Sequence, residues 1–63
     1  MNSITWIEVE IGRSKTHWIA SGYMNFNDRK AFKHPVLCED GDTPSQAMLN
    51  LEAKMKEKGI VYG

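Results

Sequence analysis

The segment running from Gly41-Asp42-Thr43-Pro44 to Lys58-Gly59 carries every signal of one complete helix, and it takes up much of a 63-residue chain. The Thr43 hydroxyl can accept a bond from the first turn, Pro44 suits the first helical position, where no donor is needed, and Gln46 stands where a capping box is completed. Gly59 supplies the left-handed residue that ends such helices. In between, Ala47, Met48, Leu51 and Met55 recur at three- and four-residue spacing, with Leu49 widening one margin. Asn50, Glu52, Lys54, Lys56 and Glu57 take the flanks and outer side. A helix with a single apolar stripe needs one surface to lie on.

That surface has to come from the residues before it. From Thr5 to Ile11 the chain alternates, with Thr5, Ile7, Val9 and Ile11 on one face and Trp6, Glu8 and Glu10 on the other, which predicts a half-buried strand with its aliphatic face inward. Gly12-Arg13-Ser14-Lys15 reads as a turn, and a second β-rich run from Thr16 to Met24 follows at hairpin distance. In that run the Trp18, Ala20, Gly22 and Met24 side is expected inward, and Gly22 marks a bulge or a close backbone approach. Asn25-Phe26-Asn27-Asp28-Arg29 has loop composition. Lys30 to Cys38 is expected to be a third extended segment that Pro35 restricts to an edge or splits in two. Glu39-Asp40-Gly41-Asp42 reads as an acidic turn into the helix, and Ile60-Val61-Tyr62 has the composition of a brief terminal strand. The predicted fold is therefore α+β over residues 1–63 as one small domain: a three-stranded antiparallel sheet, β-β-β-α in order, with a short fourth strand as an option and the C-terminal helix packed on one face.

Size limits what such a fold can do. A domain of this length buries only about 60% of the surface its unfolded chain exposes, so few residues can be spared to enclose an active site. The single cysteine, Cys38, allows no internal disulfide, and His17, His34 and Cys38 lack a recognised zinc spacing, so neither a metal nor another cofactor is expected. Cys38 with a histidine is a nominal nucleophile and base, but nothing orients the pair, and the expectation is a protein that is not an enzyme. Asp40-Gly41-Asp42 lacks the ligand spacing of a calcium loop. No apolar run approaches the roughly 20 residues that span a bilayer, and no leader pattern opens the chain, so no membrane association and a cytoplasmic location are expected. Basic and acidic residues balance at eight each, which removes any overall pull toward nucleic acid.

What is left is surface. Trp6, Trp18, Tyr23 and Phe26 are a heavy aromatic load for so small a core, and Trp and Tyr are favoured anchors at protein interfaces. Trp18 is expected in the core and Trp6 partly exposed, so Trp6, Glu8, Glu10, Tyr23 and Phe26 form the candidate interface. A second set, Arg13, Lys15, His17, Arg29, Lys30 and Lys33, could rim a sheet on which single-stranded bases stack, although Glu8 and Glu10 would oppose phosphate there.

Gly41-Asp42-Thr43-Pro44, followed by Ala47 and Asn50, resembles the strand-to-helix junction of the HicB-like antitoxin fold, and the strand order before it is compatible. The first hairpin lacks the glycine-rich acidic turn typical of that family, and a partner-binding lobe without the DNA-reading half is what the resemblance leads one to expect. The resemblance implies a lobe that neutralises a protein partner by covering it, of the sort found in phages and mobile elements. The resulting expectation is a non-enzymatic interaction protein that modulates or inhibits a macromolecule, a protein by preference. A single-stranded nucleic-acid or RNA-binding module is the alternative, and a homodimer formed by pairing sheet edges is a third option.

Overall fold

The alternating opening segment forms β1 (Ser3–Ile4) and, after a break at Thr5, β2 (Trp6–Ile11) in the computed structural model, which describes residues 3–62. At the break the Thr5 amide donates to the Tyr23 carbonyl and its hydroxyl to the Met24 carbonyl. β2 pairs antiparallel with β3 (Trp18–Tyr23), and β3 pairs antiparallel with β4 (Leu37–Gly41), so β3 is central. The turn between β2 and β3 closes through Lys15 N–H to the Gly12 carbonyl at 2.9 Å, with Lys15 left-handed at φ 60°. A turn followed by one left-handed residue is a common hairpin connection.

Register sorts the side chains into two faces. Ile7, Val9 and Ile11 share the inner face with Trp18, Ala20 and Gly22 and with Leu37, Glu39 and Gly41. Trp6, Glu8, Glu10, Ile19, Ser21, Tyr23, Cys38 and Asp40 share the outer one. Helix α2 (Pro44–Lys58) lies on the inner face and buries Ala47, Leu51 and Met55 against Ile4 and Ala20. Its ends are as the sequence dictates: the Gln46 amide donates to the Thr43 hydroxyl at 3.0 Å, and Gly59 adopts φ 71°. The capping box is not closed, because the Gln46 side chain turns forward to donate to Asn50 at 2.9 Å. Trp18, expected in the core, packs against it and is only partly buried.

Two glycines set how closely the layers approach. A Cβ at Gly22 would stand 2.6 Å from the Ile4 Cδ1, and one at Gly41 would stand 2.5 Å from the Ala47 backbone nitrogen. What comes close at Gly22 is thus the buried Ile4 side chain and not a second backbone. Helix α2 rests on β4 and β3 and only touches β2.

The middle of the chain differs from its prediction. Phe26–Lys30 is a short helix, α1, capped where the Asn25 side chain accepts from the Asp28 amide at 2.9 Å. Composition reads as loop because asparagine and aspartate favour both turns and caps, and here a cap was the outcome. The strand then starts only at Leu37, which leaves Pro35 ahead of it, and runs on to Gly41 through the acidic residues expected to turn. The terminal strand β5 (Val61–Tyr62) exists and pairs in parallel with β1. The three-stranded sheet with one helix on its face stands as predicted.

Candidate interaction surface

Among the described residues the outer sheet face has no second layer comparable to α2, and the molecule's smallest extent is only 14 Å. Over one end of this face lies α1, and there the sequence candidates converge. Trp6 and Tyr23 are cross-strand partners. The Phe26 ring meets Trp6 at a centroid distance of 4.6 Å and an interplanar angle of 55°, the tilted arrangement that aromatic quadrupoles favour. Arg29 Nε donates to Glu8 Oε2 at 2.7 Å, and that bond, together with the carboxylate's charge, raises the already high pKa of the guanidinium. Glu10 continues the same strand face toward Ile19 and Asp40. Trp6 is 37% exposed and Phe26 46%, so the pair is a half-covered apolar ledge beside a fixed charge pair.

Phe32, which was not among the residues singled out from sequence, adds a further aromatic to this face beside Tyr23. It is 92% exposed and takes a left-handed φ of 59° after α1. A left-handed backbone costs an ordinary side chain roughly 1–2 kcal/mol, and an exposed phenyl ring regains nothing from burial. With Glu8, Glu10, Tyr23, Arg29 and Lys33 it lines a shallow outer hollow of about 280 Å³. Its place in a segment expected to be extended gave no sign of this exposure, since a phenylalanine in a strand is ordinarily half-buried.

No family model, curated protein or solved structure matches this chain.

The basic set is divided by the fold. Arg13 and Lys15 lie in the turn after β2, whereas Arg29, Lys30 and Lys33 lie in and just after α1, beyond the opposite end of the β2–β3 ladder. Arg29 is bonded to Glu8, Lys33 lies 3.7 Å from Asp28, and His17 lies 3.9 Å from Asp40. Between the two groups the outer face presents Glu8, Glu10 and Asp40. Cys38 is exposed on that face, and among the described residues no three histidine, cysteine or acidic side chains converge on a metal position. No helix among the described residues is long and apolar enough to cross a membrane.

Proposed function

We propose that this chain is a non-enzymatic interaction protein whose outer face, centred on Trp6, Phe26 and Phe32, binds another protein and modulates or inhibits it by coverage. The observation that carries the reading is Phe32, a ring held almost fully in solvent by a backbone conformation that is costly to keep. An exposed aromatic next to Tyr23, on the face that also carries the Trp6–Phe26 pair, is the composition of an interface anchor, and the Glu8–Arg29 pair and Glu10 provide a polar rim. Charge favours a protein over a nucleic acid, because three carboxylates occupy the face on which bases would stack. Coverage without chemistry also agrees with the antitoxin-like resemblance of the strand-to-helix junction.

The test is capture with crosslinking from the native host, comparing the unaltered chain with Phe32→Asn, Trp6→Ala and Glu8→Lys. Asparagine tolerates the left-handed conformation, so Phe32→Asn removes the ring without straining the fold. A specific partner should be retained by the unaltered chain and lost by Phe32→Asn and Trp6→Ala. Equal recovery by all variants would sink the proposal.

A further inference from the structure

The two edges of the three-stranded sheet are not equivalent. At β4 the Asn50 side-chain amide donates at 2.7 Å to the Asp40 carbonyl, α2 lies across the strand, and Glu39 places a charge on the inner face. Covering an edge and pointing a charge inward both discourage another strand from pairing there. β2 has neither protection. Gly12 N–H donates to the His17 carbonyl at 2.8 Å, and alternation along an antiparallel ladder then turns the peptide groups of Ile7, Val9 and Ile11 away from β3 to the open side. Among the described residues no hydrogen bond outside the ladder engages them.

The helix offset exposes more than backbone. Because α2 favours β4 and β3, an open groove of about 770 Å³ remains between β2 and the second half of the helix, with Ile7, Val9, Met48, Met55 and Ile60 in its wall and Tyr62 at its end. Ile11 is 47% exposed. A strand added at β2 would place alternate side chains into this apolar groove and the others beside Glu8 and Glu10 on the outer face.

We propose that the β2 edge is a strand-addition site for an extended segment of a partner protein that alternates aliphatic with basic residues. The claim rests on the protein-binding reading but uses the β2 edge and the inner groove, sharing only Glu8 and Glu10 with the outer-face surface. Charge disfavours an antiparallel second copy: every register in which Val9 meets Ile7, Val9 or Ile11 of the twin sets glutamate against glutamate across the strands. Like charges directly opposite are unfavourable, and Arg29 is bonded to only one of the two acids. A segment with lysine or arginine on its outer side turns the same two carboxylates into partners, and backbone bonds supply the rest.

Amide hydrogen exchange tests this with a seven-residue peptide alternating valine with lysine, against the same peptide with glutamate in place of lysine. At nine-tenths saturation with the lysine peptide the Val9 and Ile11 amides should exchange about tenfold more slowly, because only the unbound fraction opens to solvent. Val9→Pro should abolish binding while leaving the inward-facing Glu8 and Glu10 amides protected, since proline is tolerated where an edge N–H faces outward. Glu8→Lys with Glu10→Lys, which leaves the edge backbone intact, should transfer the preference to the glutamate peptide. Equal protection by both peptides, no protection by either, or protection that grows with protein concentration alone would each overturn the assignment. A native partner retained by Val9→Pro but lost by Phe32→Asn would also overturn it while leaving the outer-face reading intact.

Discussion

Gly41→Ala probes the closest contact between helix and sheet. The added Cβ would lie 2.5 Å from the Ala47 nitrogen, 2.8 Å from the Gln46 carbonyl carbon and 3.0 Å from the Ala47 Cα. All three are backbone atoms within α2, so no side chain can rotate to make room. The first turns of the helix would have to lift by about 1 Å, carrying with them Ala47 and Leu51, which are fully buried. A gap of that size forfeits roughly a quarter to a half of the contact attraction across it, and overpacked cores lose about 1–3 kcal/mol. Alanine restrains the unfolded chain better than glycine, which returns about 0.5–1 kcal/mol, so the net loss should be about 1 kcal/mol. A domain this small commonly has only about 3–5 kcal/mol in all. The midpoint of thermal unfolding, followed by far-ultraviolet circular dichroism, should therefore fall by roughly 4–8 °C. Urea titration should show the same loss with an unchanged denaturant slope. A loss below about 0.5 kcal/mol would mean that α2 does not rest on Gly41, and the argument from close approach would fail.

Gly22→Ala meets a side chain instead, so shortening that side chain should recover part of the loss: Ile4→Val removes the Cδ1 at 2.6 Å, and the double variant should be more stable than the two single losses add up to. Strict additivity in urea titrations would contradict the contact. Thr43→Ala should cost about 1 kcal/mol in the same titrations, because the Gln46 amide loses its acceptor. Asn50→Ala should cost about 0.5–1.5 kcal/mol and speed exchange in the first turns of α2, since its side chain ties the helix to the Asp40 carbonyl. Phe32→Asn should stabilise the fold by roughly 1 kcal/mol in thermal unfolding, and a loss of stability would mean that the ring has a packing role.

The parts of the fold legible from sequence were those set by local chemistry. Thr43, Pro44 and Gly59 mark a helix wherever they occur in that order, and the alternation of Ile7, Val9 and Ile11 with Glu8 and Glu10 has one physical explanation. The segment from Asn25 to Val36 was not legible, because asparagine and aspartate serve caps and turns equally and the choice between them depends on neighbours outside the segment. Asn50 reads as a flank residue, and only the strand pairing shows that an outward carbonyl of β4 lies within its reach. Of the candidate surface, Trp6, Glu8, Glu10, Tyr23 and Phe26 are found on one face because β2 alternates and Tyr23 is paired with Trp6 in the hairpin. Phe32 joins them through a single left-handed residue, which composition does not reveal.

The parallel pair of β1 with β5 joins the first described residues to the last, so it forms only after nearly the whole chain has been gathered. Contacts of that separation bear the full cost of loop closure, and two residues of ladder return little against it. The pair should therefore zip up late and open early, on a shorter timescale than the hairpin or the capped helix. Since Val61 and Tyr62 line one end of the groove beside β2, the reach of that groove should rise and fall with this two-residue pairing.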